Sequence, residues 1–211
     1  MGNDYIGCDN MKLSTIENLK KRKSFYNLDR NVKVSDDEII EFVKNAFYYT
    51  PSPFNAQNSK GVILLGENHD YFWGHIVMDT LRKKVNNDEK FKRTETKINS
   101  FKNAYGTVLI FEDMEIISNL QEKFPTYHDQ FLEWADHSSG MVTMNLWVGF
   151  TEMGLGANIQ HYNPIIDDEV KARWNIPESW KLKSQMVFGN IFEDAPSKKK
   201  VDINERVLVE R

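Results

Sequence analysis

The chain has 211 residues, 40% of them hydrophobic and 12% aromatic, the make-up of one folded domain with a sizeable core. Lys and Arg total 27 against 31 Asp and Glu, a net charge of -4 without a segregated basic face, so neither nucleic acid nor an anionic membrane surface is the expected partner. No apolar run approaches the roughly 20 residues that cross a bilayer, the early Asp4 and Asp9 do not resemble a secretory leader, and Cys8 has no second cysteine for a disulfide, all of which points to a cytoplasmic, reducing setting.

Residues 1–12 are expected to be peripheral. Leu13, Ile16 and Leu19 recur at helical spacing ahead of the basic run Lys20-Lys21-Arg22-Lys23, which predicts a first helix ending beside positive charge. Ser35-Asp36-Asp37-Glu38 has the form of a capping box, in which hydroxyl and carboxylate each satisfy a free amide at a helix start. The helix it opens is predicted over 36–49, with Ile39, Ile40, Val43, Ala46 and Phe47 on one stripe, and Pro51 with Pro53 ends it in a loop of small and amide side chains.

The runs Val62-Ile63-Leu64-Leu65 and Thr107-Val108-Leu109-Ile110-Phe111 are predicted as central strands buried on both faces. Between them, 69–84 is predicted helical, and the charged stretch 85–97 is expected to be a mobile surface excursion that could serve as a lid. From about 127 to 153 the chain offers many apolar residues, nearly all round from Met141 onwards, which predicts a central buried helix of the kind that lies at a dimer interface. Val207-Leu208-Val209 predicts a short strand-like ending that adds to a sheet edge, its own or a partner's, so residues 197–211 read as an extension of the single domain 1–211. The mixture of helices and strands makes the chain α/β or α+β.

Common catalytic signatures are missing: there is no P-loop, no Gly-x-Ser-x-Gly and no His-Glu-x-x-His. Gly154-Leu155-Gly156 lacks a third glycine and follows a helix instead of a strand, which argues against a dinucleotide fold. Glu133 and His137 stand one helical turn apart, but a pair without a third ligand reads as a surface contact, so no metal site is expected. Three polar segments remain. Arg22, Lys23 and Ser24 offer a forked donor, a point charge and a hydroxyl suited to a phosphate, although a short basic run is by itself usually a solvated helix end. Ser52, Asn55 and Gln57 offer a hydroxyl and two amides, which both donate and accept as a heterocycle edge requires; the plain alternative is a self-satisfied turn. Lys198 and Lys200 could again meet phosphate or simply face solvent.

Taken in order, these segments resemble the FMN-dependent nitroreductase family over about residues 13–209. Arg22-Lys23-Ser24 matches the family's Arg-Arg-Ser opening, with Tyr26 standing where many members carry another arginine; Pro51, Ser52, Asn55 and Gln57 match its Pro-Ser-x-x-Asn-x-Gln loop; Lys198 and Lys200 match a basic pair near its C-terminus. Gly154 to Pro164 looks like the subgroup typified by yeast and lactic-bacterial nitroreductase-like proteins, where Gln160 and His161 would lie against the flavin, and Lys102 resembles a lysine near the flavin pyrimidine carbonyl. The resemblance implies an α+β, α/β/α-sandwich fold with a mainly antiparallel sheet, an intertwined homodimer, FMN as cofactor, NADH or NADPH as reductant, and two-electron ping-pong reduction of small nitroaromatic or quinone-type acceptors. Because the flavin carries the chemistry, no catalytic side chain is expected beyond the binding set. A flavin-binding regulatory or sequestering protein with little turnover is the alternative, and a dehalogenase-like or flavin-destroying branch a third.

Overall fold

In the computed structural model, which describes residues 14–85 and 87–211, five antiparallel strands lie between two helical layers. The sheet runs β1 (Leu28–Asp29), β5 (Trp180–Ile191), β3 (Gly106–Asp113), β2 (Ser59–Leu65), with β4 (Gly156–Gln160) paired to β5 on the same side as β1. Alternation along β3 and β5 divides the core. Val108, Ile110, Met186 and Phe188 face one way, against Ile39 and Val43 of α2 (Asp36–Tyr49) and Val142, Leu146 and Phe150 of α7 (Gln130–Glu152). Leu109, Phe111, Leu182 and Val187 face the other, against Phe72 and Trp73, Ile98 and Phe101 of α5 (Asp88–Lys102), and Val170 of α8 (Asp167–Trp174). Period-two alternation over two apolar layers is what a sheet covered on both faces requires, and the predicted α/β/α arrangement is the observed one.

The first element of the described residues is α1 (Ser14–Lys21); Leu13, counted in the predicted stripe, lies outside the described residues, as does Cys8. The capping box at α2 is present in both halves, Ser35 Oγ accepting from the Glu38 amide at 3.3 Å and Glu38 Oε2 from the Ser35 amide at 2.8 Å. The helix predicted over 69–84 begins earlier, as α3 (Gly66–Tyr71), widens into a π-wound stretch Phe72–Val77 and closes as α4 (Met78–Lys84). Next to the sheet, α6 (Met114–Lys123) follows β3 directly.

Three expectations need correction. β2 is an edge strand, not a central one: among the described residues it pairs with β3 alone, and only Leu64 in it is fully buried. The charged stretch after residue 87 is helical: α5 is capped by Asn87, whose side chain accepts from the Lys90 amide at 2.8 Å, and it buries Phe91, Ile98 and Phe101 beneath its charges. Residues 207–209 form no strand in this chain; after a 3-10 turn at Ile203–Glu205 they are extended and exposed.

A bulge shapes the sheet between the helical layers. Ile110 pairs with Ser184 but Phe111 pairs with Leu182, so Lys183 is the extra residue of β5. Bulges re-aim side chains, and here Lys183 turns towards α7, where it pairs with Asp136.

Candidate functional site

The basic segment lies along one edge of the sheet. Ser24 forms a parallel bridge with Ala157 of β4, and the buried Asn158 donates to the Phe25 carbonyl at 2.7 Å while accepting from Gln160 Nε2 at 2.8 Å. Arg22, Ser24 and Gln160 therefore belong to one connected edge. The Arg22 guanidinium stacks over the Trp147 ring of α7, 4.3 Å from its centroid, and no carboxylate pairs with it among the described residues. A guanidinium on an indole face keeps its donor fork free for an anion. Lys23 is engaged differently: its ammonium binds Asp194 at 2.9 Å and the Ala195 carbonyl at 2.9 Å, and it holds the Asp194 carboxyl below its usual range. That pair pins the root of the tail. Lys198 and Lys200, both exposed, leave from there, and four residues of chain carry Lys198 no further than about 14 Å from Asp194. Tyr26 is half exposed on the same segment.

Across the sheet, the amide loop is wound tightly. Phe54, Asn55 and Gln57 all have positive φ, between 51° and 56°, a conformation that costs non-glycine residues of order 1 kcal/mol each. Two features hold it. Ser52 Oγ accepts from the Gln57 amide at 2.9 Å, and the Phe54 ring packs among Phe124, Phe131 and Trp134, with centroids 4.9, 5.4 and 6.0 Å away. The Asn55 side chain is left exposed without a hydrogen-bond partner among the described residues, while Ser52 and Gln57 of the loop line an apolar groove of about 640 Å³ walled by Val43 and Phe47 of α2, Gly61 and Ile63 of β2, Val142 and Trp180.

These two groups do not meet within one chain. Phe54 packs at Phe131 and Trp134, near the start of α7, whereas Arg22 packs at Trp147; 13 residues of helix separate the two tryptophans, about 20 Å. His161 is exposed beside a small hollow on the β4 side of α7, with Asp136, Ser139, Thr143 and Lys183.

Lys102 ends α5 on the opposite face of the sheet. Its stem lies along Gly74, where a Cβ would come within 3.1 Å of Nζ, and its ammonium has no acidic partner among the described residues. Its carbonyl accepts from Arg30 Nη2 at 2.8 Å and lies 3.2 Å from His69 Nε2; Arg30 also pairs with Asp70. His69 is fully buried, which drives its pKa down to about 4.

Two groups escaped the sequence reading. Glu112 of β3 is buried, accepting from Ser59 Oγ at 2.7 Å and from Asn58 Nδ2, and burial pushes its pKa up to about 7 despite those donors. It fixes the chain directly after the amide loop. Trp147 was visible only as part of an apolar run, yet its indole donates to the Lys23 carbonyl at 3.2 Å as well as carrying Arg22. Glu133 and His137 form an exposed contact at 3.7 Å, and among the described residues no group of three or more His, Cys, Asp or Glu could hold a metal ion.

The Arg22 fork, the Ser24 hydroxyl, the Asn55 amide and the Lys102 ammonium, none with a side-chain hydrogen-bond partner among the described residues, are separately of the kind that a phosphorylated, carbonyl-bearing planar group such as a flavin nucleotide takes, while the Gln57 amide donates to the Asn55 backbone carbonyl at 3.5 Å. The fold is α+β, and the donors it carries have the chemistry that such a ligand requires. Residues 19–190 match the model of the Nitroreductase family, and the chain belongs to that family; it is an oxidoreductase. It is similar to HBN1 of Saccharomyces cerevisiae, 33% identical over 176 residues, 82% of this chain and 86% of that one, and to the nitroreductase FRM2 of the same yeast, 31% identical over 173 residues, 81% and 84%. Nitroreductase CinD from Lactococcus lactis in complex with nicotinic acid is 41% identical, with a TM-score of 0.86 over 93% of this chain and 99% of that one; its complex with 4-nitrophenol superposes at 0.84. A nitroreductase with bound FMN from Desulfitobacterium hafniense shares the fold at a TM-score of 0.69 and 15% identity.

Proposed function

We propose that the chain is an FMN-dependent NAD(P)H oxidoreductase that reduces nitroaromatic or quinone-type acceptors in a two-step, two-electron exchange, working as a homodimer. The observation that carries this reading is the pair of donor groups left without acidic partners among the described residues: Arg22 and Ser24 on one flank of α7, and on the other the strained loop with its exposed Asn55 beside an apolar groove. The FMN of the shared fold, and the pyridine and nitrophenol ligands of CinD, support a flavin site that takes both a nicotinamide and a nitro compound in turn.

Arg22, Ser24, Lys198 and Lys200 would hold the phosphate, with Lys23 fixing the root of the tail and Tyr26 beside the ribityl chain. Ser52, Asn55 and Gln57 would meet the ring edge, Gln160 and His161 its face, and Lys102 the pyrimidine side. FMN, when bound, supplies hydride uptake from NADH or NADPH and return of the electron pair to the acceptor. What the residues add is position and charge: preformed donors aimed where negative charge grows need no reorganisation during reaction. The roughly 20 Å between the two groups along α7 is why a second copy is part of the proposal.

The test is a visible spectrum of the purified protein followed by anaerobic NADH or NADPH. A flavin spectrum that bleaches, and recovers on addition of 4-nitrophenol or a quinone, is the expected result. Bound FMN that neither nucleotide reduces would favour the sequestering alternative. Colourless protein that refuses added FMN would overturn the reading.

A further inference from the structure

We infer that His69 and Thr107 are positioning residues for Lys102, forming with Gly74 a buried cradle that fixes where its ammonium stands; the inference rests on the reading above that places Lys102 at the flavin pyrimidine.

The hydrogen-bond directions are forced by chemistry. The Trp73 indole N–H can only donate, and it reaches Thr107 Oγ1 at 2.8 Å. The Thr107 hydroxyl proton is then available to His69 Nδ1, 3.0 Å away. A ring nitrogen that accepts leaves the proton of the neutral imidazole on Nε2, which faces the Lys102 carbonyl, an acceptor only, at 3.2 Å. One relay thus runs from Trp73 through Thr107 and His69 to the backbone of Lys102, with both ring nitrogens engaged. Burial, which holds His69 neutral with a pKa near 4, keeps this single tautomer in place at physiological pH. Arg30, pinned by Asp70, gives the same carbonyl a second donor at 2.8 Å.

The last turn of a helix commonly meets its free carbonyls with water or a following glycine. Here a relay of buried side chains is committed to one of them. The same α3 and π-wound segment that supplies His69 also supplies Gly74, whose missing Cβ leaves room for the Lys102 stem: a Cβ there would lie 3.1 Å from Nζ, 3.4 Å from Cε and 3.6 Å from Cδ. Backbone and side chain of one residue are held from one neighbouring element, while its ammonium has no acidic partner among the described residues. The Lys102 charge reaches Asp70 only at a distance, as one of the cations that lower the Asp70 carboxyl, and it closes no ion pair with it, so the ammonium keeps its hydrogen-bond donors. π-wound stretches are frequent at functional sites.

The test uses the FMN-loaded protein and reads the midpoint potential of the bound flavin together with FMN affinity. Lys102→Met is expected to lower the preference for reduced over oxidised FMN about tenfold, roughly 30 mV for a two-electron couple. Thr107→Val, nearly isosteric, is expected to shift it in the same direction by several-fold, and the double variant no further than Lys102→Met alone. His69→Gln, whose amide can accept from Thr107 and donate to the Lys102 carbonyl, should stay near the parent protein, whereas His69→Leu should follow Thr107→Val. Gly74→Ala displaces the stem from the other side and gives an independent reading if Thr107→Val does not fold. An unchanged potential in Lys102→Met would overturn the placement of Lys102 itself. A shift there, with none in Thr107→Val or Gly74→Ala, or with fully additive shifts in the double variant, would overturn the positioning inference alone.

Discussion

Glu112 and His69 are buried ionisable groups with opposite consequences for stability. Glu112 titrates at about 7 against an ordinary 4.5, because burial penalises its charge more than Ser59, Asn58 and Lys183 favour it. The folded state therefore favours its protonated form: that contribution is complete below about pH 4.5 and is lost as pH rises through 7, with a ceiling of roughly 3 kcal/mol. Asp136, paired with Lys183, pushes in the same direction as burial. Glu112→Gln can still accept from Asn58 and donate to Ser59, so it should unfold at higher urea than the parent protein above pH 7 and lose the advantage near pH 5. His69 runs the other way. Its pKa near 4, against 6.5, means stability that is present above pH 6.5 and lost as pH falls towards 4. His69→Gln should flatten that acid limb, as urea midpoints between pH 4 and 7 would register; an unchanged limb would show that His69 is not buried neutral.

At the scale of elements, α7 meets α2 through a missing side chain. Gly149 faces the Phe42 ring so closely that a Cβ would overlap it, and Phe42 in turn packs edge-on to Phe150 at 5.3 Å. Alanine is the better helix former by about 1 kcal/mol, yet overpacking costs about 1–3 kcal/mol, so Gly149→Ala is expected to destabilise, and a higher thermal midpoint would contradict the contact. How much of this was legible in sequence depended on range. The capping box at Ser35 and the run in β3 are local, and the structure realises both; α7 is a helix as expected, but its buried residues Phe131, Ala135, Val142, Leu146 and Phe150 form one stripe, so it is not buried all round in this chain. The edge position of β2 is not local: four apolar residues cannot report whether one neighbour or two will pair with them. α5 hid its core side, since Phe91, Ile98 and Phe101 are its only buried residues among fifteen. The segments of the candidate site could be read as motifs, but Glu112 and His69 could not, because each acquires its role from partners that the fold brings from elsewhere in the chain, Ser59 and Asn58 for one and Thr107 and Lys102 for the other.

The whole molecule exposes more apolar surface than one chain has use for. Tyr48 and Tyr49 at the end of α2 are 79% and 76% exposed, Leu208 and Val209 in the tail 85% and 72%, and β2 presents an unpaired edge beside the apolar groove. Large exposed apolar patches and open strand edges mark association sites in proteins of this kind. In the proposed homodimer, one chain's Arg22 flank would meet the other's amide loop, joining the two donor groups that α7 separates, and the tail would gain an edge on which to form the strand it does not form alone. Dimerisation and flavin binding should then fail together. Sedimentation is expected to show a dimer that persists at micromolar concentration; removing residues 201–211 or replacing Tyr48 with Glu should shift it towards monomer and release FMN in proportion, as followed by flavin fluorescence. A monomer that keeps its flavin fully bound would separate the two properties, and Arg22, Asn55 and Lys102 would then have to reach one ligand within a single chain.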